Sequence, residues 1–592
     1  MARLAERTAA RDALQRRERA LSIARLVMIA ITIAVAFPFG WFALIPFAAF
    51  VAILPVHERT IRARHRAESG AAFYARGIER IDDAWQGHGD AGAEFIEEHH
   101  PYADDFDLFG RGSLFELLSL AVTRAGRTRL ASWLKEPARN ADEIRARQDA
   151  VRELRDNVAL REDVAIAARE VSRDIEAAHL DAWGAMPAVA FARWERIAMI
   201  ALPTIAAAII ALSIPELAAR MINATHDAQV APLLRMPMWP LVVAIIAIIA
   251  MTRILAPRVT PVVSAVERAE PALALLAQLL ARIEAEAFAS KRLTDAADKL
   301  RGAAKEIERL RRLVALLDAR RNQLFAPVAG LLLWTPNLAV AIERWRLRSG
   351  ARVGEWIETV GEIEALASLA SFAFEHPSFA MPDLVAEGFD AKALGHPLIA
   401  ADRRVTNDII LGGPLRLLVV SGSNMSGKST MLRTVGIAAV LAMAGSVVCA
   451  RSLRIGPMAI GASIRINDSL QEGASRFYAE ILRIRNILAM AASEAAMLFL
   501  LDEVLAGTNS HDRRIGAAAI VRGLIDRGAI GMVSTHDLAL AQIADDLTPR
   551  AANVHFEDHL EGDRVVFDYR MRPGVVTKSN ALALMRSVGI EI

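Results

Sequence analysis

The stretch Gly422-Ser423-Asn424-Met425-Ser426-Gly427-Lys428-Ser429-Thr430 decides how this chain is read, because it fits G-x-x-x-x-G-K-[ST], the pattern of a loop that wraps nucleotide phosphates. Residues 415–420 before it read as a short buried strand and residues 430–444 after it as an apolar helix, which is the strand, loop, helix setting the pattern needs. Glycines let backbone N–H groups close on phosphate oxygens, and the helix N-terminus adds its positive end. Gly422, Ser423, Asn424, Met425, Ser426, Gly427, Lys428, Ser429 and Thr430 are therefore the expected contacts to ATP or GTP, with Lys428 reaching the β- and γ-phosphates and the Ser429 hydroxyl available to Mg²⁺.

Working outward, residues 497–501 form a buried-strand run that ends in Asp502-Glu503. An aspartate at a strand end opposite the loop can hold Mg²⁺, and the adjacent Glu503 is placed to polarise an attacking water. Residues 531–537 read as another buried strand ending at His536, a group that could sense the γ-phosphate. In isolation the acid pair would be a strand meeting a solvated turn and His536 a loop or core histidine. Paired with the loop, the three read as catalytic: Lys428, Glu503 and His536, with Ser429 and Asp502 as metal ligands.

This string of motifs resembles the ATPase domain of the MutS mismatch-repair family. Gly395-His396-Pro397-Leu398-Ile399 and Val405-Thr406-Asn407-Asp408 resemble the family's lead-in to the phosphate loop, and the asparagine and methionine in the middle of the loop are similar to its own. Asp468-Ser469-Leu470-Gln471-Glu472-Gly473-Ala474-Ser475-Arg476-Phe477 resembles the segment that reaches the nucleotide of a partner subunit. Leu501-Asp502-Glu503, Gly507-Thr508, Ser534-Thr535-His536 and Arg572-Pro573-Gly574 complete the likeness. It implies ATP and Mg²⁺ as cofactors, His396 and Ser475 as further nucleotide contacts, DNA as a partner, and a homodimer with composite ATP sites. Leu505-Ala506 stands where the family usually has Gly-Arg, and Arg476 replaces a threonine, which marks a divergent branch.

Upstream, Asp107-Leu108-Phe109, Gly112-Ser113-Leu114, Thr123-Arg124-Ala125-Gly126-Arg127 and residues 130–137 resemble the start of the family's helical core, and residues 142–151 continue it as a helix. The family's mismatch-reading domain is expected to be absent. The one upstream candidate for its Phe-x-Glu wedge, Phe95-Ile96-Glu97, is short enough to read as a chance match, and a domain of about 100 residues does not fit between the apolar start and Asp107. No nuclease or added dimerisation module is expected beyond Ile592.

Membrane-like sequence stands in that domain's place. No charged residue lies between Arg25 and His57, and residues 26–54 are almost wholly apolar around Pro38-Phe39-Gly40. Arginines on both sides favour a hairpin with both flanks cytoplasmic, and the stretch is too long for a cleaved signal peptide. A second pair, residues 197–214 and 236–252, is flanked by Arg193, Arg196, Arg253 and Arg258 and reads the same way. Residues 325–342, with Pro327, Pro336 and Asn337, read as core helix, and residues 291–321 as one long amphipathic helix with a solvated, mixed-charge face.

Composition agrees: 54% hydrophobic residues and a mean hydropathy of +0.28 are high for a soluble ATPase. A formal net charge of +2 carries no global nucleic-acid signal, and the single Cys449 excludes an intrachain disulfide and fits a reducing compartment. The expected fold is an α/β P-loop (ABC-type) ATPase domain joined to an α-helical core and lever region, with transmembrane helical hairpins. Its expected parts are a basic segment (1–25), a hairpin (26–54), a helical core start (70–195), a second hairpin (197–252), a lever (258–390) and the ATPase domain (391–592). Together they describe a multi-pass inner-membrane protein with a cytoplasmic ATPase domain. Two rivals share these motifs: an ABC-type transport or signalling ATPase, against which stands the lack of a Leu-Ser-Gly-Gly-Gln signature, and an ATP-gated structural DNA tether.

Overall fold

The computed structural model describes residues 1–592 except 175–176, 224–238, 265, 268, 324, 424, 466–475, 537, 562–563 and 577–592. Asn424, Ser475 and residues 224–235 of the second hairpin's linker thus lie outside the described residues. The chain forms two compact units: Met1–Ile166 with Phe288–Thr294 and Gly361–Ile592, and Ala167–Ala287 with Asp295–Val360.

The first unit opens with α1 (Ala2–Phe39) and α2 (Leu44–Ile81), antiparallel across the turn Gly40–Ala43. The reversal follows from sequence: Pro38 ends the pattern and Gly40 takes φ 53°, a backbone state open to glycine. Both helices run well past the apolar stretch, so no structural boundary separates residues 1–25 from 26–54, nor is there one at residue 70. The basic start is paired: Arg64 lies 2.6 Å from Glu18, and Arg7 lies 2.6 Å from Glu162.

Next come α3 (Leu114–Leu118), α4 (Arg124–Lys135), α5 (Ala141–Asp156) and α6 (Val158–Asp174). Helix α4 begins where Thr123 accepts the N–H of Gly126 at 3.1 Å, the capping bond its sequence position allows. Phe95, the expected chance match to a mismatch wedge, packs its ring 5.5 Å from Phe115 and 5.9 Å from Phe109, and Glu97 pairs with Lys135 at 2.9 Å.

The second unit holds α7 (Ala177–Gly184), α8 (Arg193–Asn223), α9 (Trp239–Ser264), α10 (Glu270–Glu284), α12 (Ala303–Ala319), α13 (Ala326–Leu331) and α14 (Trp334–Ser349); the boundaries between the units fall within α6, between α10 and α11 (Lys291–Leu300), within α11 and within α15 (Val353–Glu375). Two readings are corrected here. Residues 291–321 are two helices, because Gly302 adopts φ 79° and breaks the backbone ladder between α11 and α12. Residues 325–342 are also two, split at Leu333 (φ 47°), and α13 is no core helix, since Val328 is 46% exposed. The helices Arg193–Ser213 and Trp239–Ser264 are apolar and long enough to cross a membrane, and Ala2–Ile81 holds an equally apolar stretch that is folded back on itself at Gly40–Ala43.

The C-terminal part of the first unit carries two sheets. One, in the order β1 (Asp383–Leu384), β5 (Ser452–Ile455), β2 (Phe389–Leu394), β3 (Asn407–Leu411), is mixed. The other runs β10 (Arg564–Pro573), β9 (Ala551–Glu561), β4 (Leu417–Ser421), β8 (Ile530–Thr535), β7 (Met497–Asp502), β6 (Ala459–Ser463). Strands β4, β6, β7, β8 and β9 are parallel, and only β10 runs antiparallel. Their near-continuous apolar runs are what a parallel sheet covered on both faces requires. Helices α16 (Lys428–Ala444), α17 (Arg476–Ser493), α18 (Ser510–Asp526) and α19 (Leu538–Asp546) supply that cover. Leu417, Val419, Phe499, Leu501 and Val533 form the core beneath α17, α18 and α19.

Candidate functional site

Strand β4 is buried along its length and ends where Gly422 takes φ 149°. A Cβ at Gly422 would lie 2.9 Å from the carbonyl oxygen of Phe556 and 2.9 Å from Ser426 Oγ, so the chain leaves the sheet this close to β9 only as glycine. Gly427, at φ 101°, caps α16 and brings its first N–H groups to the loop. Lys428 is 4% exposed, and its Nζ donates to the carbonyls of Gly422 and Ser423, both at 2.9 Å. Burial holds its ammonium below the ordinary lysine range, against the pull of Glu503 and Asp502. Ser423 Oγ and Ser426 Oγ are buried without a hydrogen-bond partner among the described residues. Unmet hydroxyls, a buried ammonium and an open helix N-terminus around one loop fit the oxygens of a phosphate chain.

The acid pair is held from the neighbouring strand. Register places Asp502 opposite Ser534, whose hydroxyl donates to Asp502 Oδ1 and accepts the N–H of Glu503 at 3.2 Å. Glu503 and Leu505 both sit in the left-handed region, φ 47° and 57°. Each costs on the order of 1 kcal/mol. At Leu505, where the family resemblance would expect glycine, the N–H donates to buried Glu480 at 2.6 Å and the side chain joins the core, which offsets the strain. His536 Nδ1 lies 3.3 Å from Glu503 Oε1.

A cleft of about 1140 Å³ brings Met425, Gly427, Lys428, Ser429, Thr430, Asp502, Glu503 and His396 together. Gly422, Ser423 and Ser426 form the loop behind Lys428, and His536 joins through Glu503. Asn424 and Ser475 are outside the described residues. His396 is buried, its Nδ1 accepts the N–H of Leu398 at 3.3 Å, and burial with nearby Arg433 and Arg404 pushes its imidazole down to about 4.

Several residues in and around the cleft have no role that a motif assigns. Tyr569 (φ 54°) sits where the β9–β10 register shifts between Phe567 and Met571, and its ring is 3.1 Å from where a Cβ on Gly427 would be. Asn407 clamps that bulge, donating to the Tyr569 carbonyl at 3.0 Å and accepting the Met571 N–H at 2.7 Å. Arg433, one turn into α16, meets Asp107 at 3.0 Å, and Asp105 accepts the N–H groups of Ile464 and Arg465 at 2.7 Å each while facing Arg483. Only Asn407 and Asp107 stood in a recognisable string, and without a role, since a bulge and a cross-sheet ion pair leave no local pattern.

A phosphate-shaped loop after a central parallel strand, an acid pair at the end of the next strand but one and an extensive helical region upstream define a two-part α/β and helical class of protein. Residues 103–498 match the family model described as MutS domain III, and residues 418–591 match MutS domain V. The chain belongs to the MutS family. It is similar to "DNA mismatch repair protein MutS 2" of Halobacterium salinarum, 32% identical over 259 residues; the alignment covers 43% of this chain and 29% of that relative.

Proposed function

We propose that this chain is a membrane-anchored ATPase of the MutS family that couples ATP hydrolysis to DNA binding. The observation that carries the chemistry is the convergence, at one end of one sheet, of the Lys428 loop and the Asp502, Glu503, His536 cluster. Mg²⁺, when bound, neutralises charge on the phosphates and orients them. Ser429 and Asp502 would hold it, and the Ser534 hydroxyl keeps Asp502 aimed at the cleft. Lys428 exchanges its two carbonyl bonds for β- and γ-phosphate oxygens, with the loop's N–H groups and the Ser423 and Ser426 hydroxyls beside it. Glu503 takes the proton of the attacking water, and His536 orients that carboxylate and responds to the γ-phosphate. Ser475, by resemblance, completes the site of a second copy, so the working unit is a homodimer.

Anchoring is supported by the exposed apolar surface of α1, α2, α8 and α9, including Ile33, Phe37, Ile45, Ile197, Ile200, Val243 and Ile246. Apolar surface exposed on each of these helix pairs belongs to a bilayer more readily than to water. Even numbers of crossings keep the ATP site cytoplasmic, and an inner-membrane location follows. DNA enters through the family and through the printed name of the relative. The deciding experiment measures phosphate release by the full-length protein in detergent, with and without duplex DNA. Stimulation by DNA supports this reading, whereas nucleotide turnover indifferent to any DNA favours an ABC-type role in transport or signalling.

A further inference from the structure

At the base of the first hairpin, Arg25 Nη1 lies 2.6 Å from His57 Nδ1 and Ser22 Oγ 3.2 Å from His57 Nε2. This polar rung links α1 to α2. Beyond it, no charged side chain occurs until the rung is reached again from the other limb. Residues 26–39 of α1 climb about 21 Å, and residues 44–56 of α2 descend about 20 Å, at 1.5 Å per residue. The hydrocarbon of a bilayer is about 30 Å thick.

The band is apolar and open on both helices, with Leu26 68%, Phe37 95% and Ile45 70% exposed. The turn is uncharged too: Gly40-Trp41-Phe42-Ala43 carries no polar side-chain group but the Trp41 indole N–H, Trp41 is 78% exposed, and the Leu44 N–H closes back on the Trp41 carbonyl. A turn that emerged into water would have no reason to be so nearly apolar, and the limbs are too short by about a third to carry it there. Helix α8 differs: from residue 197 to 213 alone it climbs about 26 Å, and it continues to Asn223.

We infer that the α1–α2 hairpin enters the bilayer from the face marked by Arg25 and His57 and turns round within the hydrocarbon, without reaching the opposite surface. This rests on the membrane reading above. Its partner is lipid alone, and because the wedge occupies the entered leaflet more than the other, its insertion responds to lipid packing.

The test is cysteine labelling of the full-length protein in sealed membrane vesicles of both orientations, in a Cys449→Ser background. Trp41→Cys, and Phe42→Cys as a second position, should resist a membrane-impermeant maleimide from either surface, with at least tenfold more label after detergent. Exposed Arg17→Cys should label only from the cytoplasmic face. Labelling of both turn variants from the opposite surface would mean that the hairpin crosses, overturning this inference and leaving the membrane reading intact. Labelling from the cytoplasmic face, together with release of the protein by carbonate, would overturn the membrane reading itself.

Discussion

His536 Nδ1 stands 3.3 Å from Glu503 Oε1, at the ends of two strands with one strand pairing between them. The contact joins a half-exposed ring to a carboxylate that lines the cleft and whose backbone is held left-handed, the pairing on which the proposed activation of a water depends. Glu503→Gln should retain ATP binding and slow turnover at least about a hundredfold, since the proton acceptor is lost while the shape stays. His536→Ala should lower kcat by about tenfold with KM little changed, because it acts through Glu503. Steady-state phosphate release with a separate nucleotide-binding assay checks both, and parental turnover by Glu503→Gln would show that another group is the base.

Lys428 is buried against its own loop carbonyls, an arrangement that costs desolvation in the absence of a ligand. Lys428→Met should therefore leave the melting temperature without nucleotide unchanged or slightly raised. The same variant should lose the upward shift that saturating ATP gives the parent, about 2.7 kcal/mol at a hundred times Kd. Thermal melting in detergent with and without ATP reads this, and a preserved ATP shift would remove Lys428 from the site.

Tyr569 covers Gly427 from the β9–β10 bulge and lines the cleft beside the phosphate loop. An aromatic face there suits a nucleobase, and stacking of this kind is worth about 1–3 kcal/mol. Tyr569→Ala should weaken ATP binding by about tenfold or more and Tyr569→Phe by less than about twofold. Equal losses in the two variants would point to the hydroxyl instead of the ring.

His396 is neutral in the fold, its imidazole pushed down to about 4 from an ordinary 6.5, chiefly by burial. The unfolded chain binds the proton first, so the contribution is fully present above pH 6.5 and is lost as pH falls towards 4, up to about 3 kcal/mol. The parent should lose melting temperature over that window, and His396→Gln should lose less. Identical pH slopes for the two would assign the acid sensitivity elsewhere.

The apolar hairpins should keep the protein in the membrane fraction through high salt and carbonate, because apolar burial at about 25 cal/mol per Å² does not respond to ionic strength as surface charge does. Reporter fusions after Arg66 and after Arg258 should both report cytoplasm. A soluble, monodisperse full-length protein without detergent would refute anchoring and leave the Lys428 chemistry untouched.

What the sequence by itself determined is what short-range pattern dictates. Gly422, Gly427 and Lys428 sit at a spacing that one loop geometry demands, residues 497–501 read as a covered strand, and arginines on both sides of residues 26–54 favour a hairpin over one long crossing. Helix continuity was less legible. Residues 291–321 keep their apolar period across Gly302, so periodicity alone shows no break, although glycine is free to take the left-handed backbone found there; at Leu333 the same backbone belongs to a buried side chain, a packing that the pattern does not record. The tertiary structure alone decided the contacts between distant segments. Ser534 meets Asp502 because β8 and β7 are in that register, Tyr569 covers Gly427 because a bulge turns it, and Asp105 meets Ile464 and Arg465 from more than three hundred residues away. Each depends on strand register or on the docking of separate elements, which burial of the whole core sets at once, whereas a loop that cradles phosphate is written in nine consecutive residues.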